Sequence, residues 1–155
     1  MLLDIIYVKK NMKDLIKQIT QIDDKAAYAK TKEIVEASML SNKYYQYLDD
    51  FAALLDDEKS YIRTRGFILC CSQARWDDGK LSKILPTMAK LFNDPKPTVV
   101  RQCLKAIKEV VIYCPKLNPS ILKSLKSIDL SIYKDSMKPL IEKDIESLYK
   151  LIKSK

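Results

Sequence analysis

Leu54–Ala74 reads LLDDEKSYIRTRGFILCCSQA, and Leu91–Val111 reads LFNDPKPTVVRQCLKAIKEVV. At an offset of 37 the two stretches align as copies of one unit. Asp57 falls on Asp94, Ile62 on Val99, Gly66 on Cys103 and Cys70 on Ile107. A period of that length, built only from helix-forming segments, predicts a helical solenoid. The expected fold is all-α, a right-handed α-α superhelix of about eight helices in antiparallel pairs. A fold of this kind holds something against its surface, and the fold alone does not name what it holds.

Working outward, helix signals fill the rest of the chain. Asn11 is expected to cap a helix running to about Gln21, and Asp23-Asp24 to open another ending near Met39. Asn42 is expected to cap a helix carrying Tyr44, Tyr47, Leu48, Phe51, Leu54 and Leu55 at helical spacing. Ser60 is read as the N-cap of its partner, which runs to about Trp76. Asp78-Gly79 breaks the chain. Pro86 predicts a late start or a mild kink in the next helix, and Pro97 sits at the start of the helix that ends at Cys114-Pro115. Asn118-Pro119 opens a short helix, residues 129–135 form a loop or single turn, and a last helix begins near Ser136. A third copy is expected to keep the register, with Arg101 on Lys138 and Cys103 on Leu140. The expected organisation is one domain over 1–155. It has an N-terminal pair or cap at 1–41 and repeats at 42–78, 79–115 and 116–155. Each pair buries its apolar stripe only by stacking on the next.

An apolar helix, a turn beginning with Asp, a Pro, and Val-Arg early in the second helix resemble HEAT repeats. The residues are Leu91, Asp94, Pro95, Pro97, Val99, Val100 and Arg101, and in the earlier copy Leu54, Asp57, Ile62 and Arg63 with Arg65 close by. Armadillo-like stacking is the near alternative. The resemblance implies that the Asp braces the turn, that the Arg reaches neighbouring turns, and that second helices line a concave face. The interval from Asp94 to Arg101 is one residue longer than the family's usual spacing. The chain also looks like small prokaryotic HEAT-like proteins that sometimes carry an iron–sulfur-assembly (SufBD-type) label, a chemistry no residue here supplies.

Composition narrows function further. Apolar residues are 47% and charged residues 31% of 155, which excludes a disordered or membranous chain. Two glycines leave little material for phosphate loops. The absence of histidine removes Ser-His-Asp and Cys-His nucleophiles and the usual zinc mixtures. Cys70, Cys71, Cys103 and Cys114 contain no C-x-x-C pair and read as buried, reduced thiols. The N-terminal MLLDIIYVKK reads as a first helix or cap, because Asp4 interrupts its apolar run and no basic region precedes it. The expectations are therefore a non-enzymatic cytoplasmic protein, with no cofactor, no metal site and no membrane span.

Residues 79–128 hold ten basic and two acidic side chains, so the whole formal excess of +8 falls there. Arg101, Lys105 and Lys108, spaced four and three, form one helical stripe. Lys83 and Lys90 share a face of the preceding helix, and Lys123 and Lys126 extend the basic region. The principal expectation is a scaffold that binds a protein partner through its concave face. Arg65, Arg101, Lys105, Lys108, Lys83 and Lys90 are its candidate contacts. Binding of a nucleic-acid phosphate backbone through this basic patch is the alternative. Lys solvating ordinary helices explains the same charge.

The remaining candidates have plainer readings beside them. Trp76 with Asp77 fits a HEAT-like base-excision enzyme on its face, but Asp-Asp-Gly is a good turn on its own. Tyr44, Tyr45, Tyr47, Phe51 and Tyr61 are expected to be core plus half-buried tyrosine before they are a peptide anchor. Arg63 and Arg65 also read as braces to the acidic turns. The acidic pairs lack the spacing of a calcium loop.

Overall fold

Turns, proline and glycine, more than side-chain caps, mark the helix starts in the computed structural model, which describes residues 2–155. The described residues form nine α-helices joined by short 3-10 turns, with no strand among them. They are α1 (Leu2–Thr20), α2 (Asp24–Ser38), α3 (Leu48–Ala53), α4 (Ser60–Ser72), α5 (Lys80–Ala89), α6 (Pro97–Ala106), α7 (Lys108–Tyr113), α8 (Asn118–Lys126) and α9 (Lys138–Lys153). Helices α6 and α7 are nearly one rod. Ile107 N donates to Cys103 O, and Val111 N donates to Ile107 O, each at 3.0 Å, across the break.

Asp23 caps α2 by accepting from Ala26 N at 3.1 Å. Gly79, with φ 118, precedes α5 in a left-handed conformation that side chains disfavour. Pro97 and Pro119 stand in first turns, where a missing N–H is harmless.

Several boundaries differ from expectation. No breaker lies between Leu2 and Asn11, so α1 starts at its apolar run and Asn11 falls in mid-helix. The helix expected from Asn42 is fragmented into a 3-10 turn at Tyr45–Tyr47 and the short α3, with Ser41 Oγ accepting from Lys43 N. Ser60 is not a cap: Lys59 holds that position, and Ser60 Oγ accepts from Lys96 Nζ at 2.9 Å. Helix α5 starts at Lys80, ahead of Pro86, so no late start occurs. Helix α4 ends at Ser72, and a 3-10 turn carries the chain to Trp76.

The turns before α4 and α6 have matching geometry. Asp57 (φ −64, ψ 146) and Asp94 (φ −60, ψ 141) each follow a 3-10 turn, and each accepts with Oδ1 from the amide two residues on, Lys59 or Lys96. Burial also matches along the 37-residue offset: Leu55 with Phe92, Ile62 with Val99, Phe67 with Leu104, and Cys70 with Ile107 are all buried. The expected third copy is off by one. Leu140 is 39% exposed while Ile141 is 0% exposed, so Cys103 matches Ile141 at 38 residues.

Helices α2, α4, α6 and α9 lie in one row, each packed on the next. The remaining elements back that row: α1 lies against α2, α3 against α4, and α8 against α9, while the 3-10 turn after α5 lies against α6. Gly66 lets α4 approach α3 closely, since a Cβ there would stand 2.8 Å from Leu54 Cβ and 3.0 Å from Phe51 O. Arg63 joins consecutive turns. Its Nε and Nη2 donate to Asp94 Oδ2 at 3.1 and 2.8 Å, and its Nη1 donates to the carbonyls of Asp57 and Glu58.

Two stability outcomes follow from this packing. Asp94 is only 5% exposed, so Asp94→Ala leaves a partly buried guanidinium without its carboxylate and lowers stability by about 3 kcal/mol in urea unfolding. Gly→Ala inside a helix ordinarily stabilises by about 1 kcal/mol. Gly66→Ala is expected to do the opposite, by about 1–3 kcal/mol, because neither backbone nor Cβ can yield.

Candidate binding groove

The row α2–α4–α6–α9 carries a trough on one side. Tyr28, Thr31 and Val35 of α2, Tyr61, Thr64 and Ile68 of α4, and Thr98, Val99 and Gln102 of α6 line a depression of about 390 Å³. Spacings of three, four and seven put the α2 and α4 sets each on one face of its helix, and Gln102 lies four and three residues after Thr98 and Val99 on α6. A second depression of about 380 Å³ shares Tyr28, Ile68 and Gln102 with the first and adds Lys105 and Ala106. A third, of about 250 Å³, shares Gln102 and Lys105 and is completed by Arg101, Leu104 and Lys108 with Asp144 and Ser147 of α9. The shared residues make the three continuous.

The floor is polar but internally satisfied. Thr31 Oγ1 donates to Ala27 O at 2.8 Å, and Thr64 Oγ1 donates to Ser60 O at 2.9 Å. Covering these hydroxyls therefore leaves no broken hydrogen bond. Tyr28 is 62% exposed and Tyr61 44%, so two aromatic rings stand open beside that floor. The sequence groups Tyr61 with Tyr44, Tyr45, Tyr47 and Phe51. It lies apart in the trough, while Tyr44, Tyr47 and Phe51 stack at 6.1 and 6.5 Å between centroids. Tyr28 and Gln102 had no role in the sequence reading. Their one signal is that exposed second-helix faces carry Tyr, Thr and Gln where Lys and Glu would solvate better.

The candidate cations divide. Arg65 is 6% exposed, pairs with Asp24, donates to Ile19 O at 3.2 Å, and stacks its guanidinium 5.1 Å from the Tyr61 centroid. It shapes the trough wall as an internal brace. Arg101 lines the trough and is held by Asp144, with Nε to Oδ2 at 2.8 Å; that hydrogen bond raises its already high pKa. Lys105 is exposed and Lys108 half-buried; both line the trough without an ion-pair partner among the described residues. Lys83 and Lys90 are exposed on α5 and the turn after it, outside the row that carries the trough. Lys80 is taken up by Asp49 at 3.6 Å and the Tyr45 ring. Lys123 and Lys126 lie on α8.

The Trp76–Asp77 corner is a cap. Trp76 Nε1 donates to Ser38 O at 2.7 Å, Asp77 Oδ1 accepts from Leu81 N at 3.0 Å, and Tyr45 OH donates to Asp78 Oδ1 at 2.6 Å. Among the described residues no group of His, Cys, Asp and Glu is placed to hold a metal ion, and no helix is long and apolar enough to cross a membrane. The first turns of α1 expose Leu2, Leu3, Ile5, Ile6 and Tyr7.

Comparison with known proteins finds no matching family model, no similar curated protein and no similar solved structure.

Burial pushes the thiols of Cys70, Cys71 and Cys103 well up, and that of half-buried Cys114 from 9.0 to about 11. Iodoacetamide at pH 8 is expected to modify Cys114 first and slowly, and the other three only on unfolding. Because the unfolded thiol ionises first, Cys114 contributes stability that is present below pH 9 and lost as pH rises toward 11. Mass spectrometry with a parallel alkaline melting series reads both effects.

Proposed function

We propose that this chain is a non-enzymatic, cytoplasmic HEAT-like (armadillo-type) solenoid module. Its superhelix presents the row α2–α4–α6–α9 to a protein partner. The observation that carries the reading is the continuous trough, built from four helices that pack side by side in chain order with other elements between them. The matching turns at Asp57 and Asp94 and the matched burial at 37 residues support the stacked-repeat part. The windows 1–41, 42–78, 79–115 and 116–155 then correspond to successive units, each ending in one member of the row.

The mechanism is presentation. A floor with satisfied hydroxyls loses water cheaply, and Tyr28 and Tyr61 give large contact area for little lost side-chain freedom. Phosphate-backbone binding through 79–128 is the second reading, favoured by the unpaired Lys105 and Lys108. Against it, the other basic groups of that region are divided between α5, α8 and internal pairs.

A photo-reactive phenylalanine placed at Tyr61 or Gln102 is expected to cross-link a protein in cells, while the same group at Lys123 on α8 does not. Reconstituted from purified components, that complex should weaken at least tenfold with Tyr28→Ala plus Tyr61→Ala. Cross-links arising equally from α8, or a complex indifferent to both substitutions, would sink the proposal.

A further inference from the structure

We infer that the trough receives an extended peptide segment of the partner, with aromatic or aliphatic side chains over α2–α4 and carboxylates over α6–α9. The inference rests on the trough reading and adds the chemistry of what fills it. The two ends are built differently. Over α2–α4, Asp24 neutralises Arg65, and the open surface is Tyr28, Tyr61, Val35 and Ile68, with a single unpaired cation, exposed Lys32, among them. Over α6–α9, Asp144 offsets Arg101 only, so Lys105 and Lys108 leave an uncompensated positive charge beside Gln102 and Ser147. An unpaired cation pair in a concave setting attracts an anion, and the cavity of about 250 Å³ admits a carboxylate side chain.

Size and chemistry favour a peptide over a nucleic acid. Neighbouring helix axes stand about 8–10 Å apart, so a row of four spans about 27 Å. At about 3.3 Å per residue an extended chain covers that in about eight residues. Only Tyr28 reaches the space beside Lys105, and no aromatic ring lines the depression of Arg101 and Lys108, so a single strand finds one stacking platform at that end and no succession of them. Two uncompensated lysines make few phosphate contacts with a duplex. One carboxylate cluster on a short segment meets both.

The test is selection of a random twelve-residue peptide library on the intact chain, followed by fluorescence anisotropy with the enriched peptides. Supporting peptides carry two or more Asp or Glu at one end and an aromatic or branched aliphatic residue toward the other. Their affinity should fall at least tenfold with Lys105→Glu plus Lys108→Glu, and also with Tyr61→Ala. Unchanged thermal melting of each variant separates lost contact from lost fold. Enriched peptides without acidic residues that still depend on Tyr61 overturn this inference and leave the trough reading standing. Peptides indifferent to all these substitutions overturn both. No enrichment overturns the inference, and duplex DNA of twenty base pairs bound at low salt and lost on the double charge reversal puts a nucleic acid in its place.

Discussion

Asp94 joins three parts of the chain at one turn, two through its carboxylate and one through its backbone carbonyl. Its Oδ2 takes two hydrogen bonds from Arg63 of α4, its Oδ1 caps the Lys96 amide ahead of α6, and its carbonyl accepts from buried Tyr133 OH at 2.6 Å. A carboxylate this deeply buried is stable because the Arg63 guanidinium and the Lys96 amide both meet it. The turn therefore fixes where α6 begins relative to α4, and Tyr133 ties the segment before α9 to the same point. The order of the row, and the trough along it, descend from that junction.

The arginines show how the row is held laterally. Arg65 of α4 reaches Asp24 at the start of α2, Arg63 reaches the turn before α6, and Arg101 of α6 reaches Asp144 of α9. Each crosses to a neighbouring helix or turn of the row, and Arg63 also holds the Asp57 and Glu58 carbonyls of its own turn. Arginine suits the task because its planar fork keeps its charge and satisfies several acceptors at once. The result is that guanidinium groups are spent on the frame, and the free positive charge of the trough is lysine. A charge map drawn from sequence assigns both the same role; contacts between distant residues separate them.

The helical class, the breaks near Asp23, Gly79, Pro97 and Asn118, and the offset of 37 were legible because local chemistry decides them. Capping side chains, proline and a positive-φ glycine act within four residues. What was not legible depends on tertiary context. Asn11 has a capping side chain, yet the apolar residues before it extend α1, and nothing local opposes that. Ser60 has a capping side chain as well, but the Ile62 and Arg63 amides donate to Lys59 O, and the Ser60 hydroxyl accepts from Lys96 Nζ instead. In the last segment Asp129 Oδ1 also accepts from the amide two residues on, that of Ser131, but it opens a 3-10 turn where Asp57 and Asp94 each follow one, and the register there differs by one residue. In the candidate site, Lys105 and Lys108 were readable from helical spacing. Tyr28 and Gln102 were not, since a trough appears only when faces of three helices meet.

Division of labour between the two ends of the trough has a physical consequence. Exposed lysines act at range, so they raise the rate of encounter with an anionic segment, and mobile ions screen them within about 8–10 Å. Tyrosines over a satisfied floor act only in contact, through area and excluded water, and are little affected by salt. Setting both along one rigid row separates attraction from retention. The frame of buried pairs keeps the two at a fixed distance, so an occupant must match the interval as well as the chemistry. On the proposed reading, specificity would come from the spacing of the helices, to which the junction at Asp94 contributes.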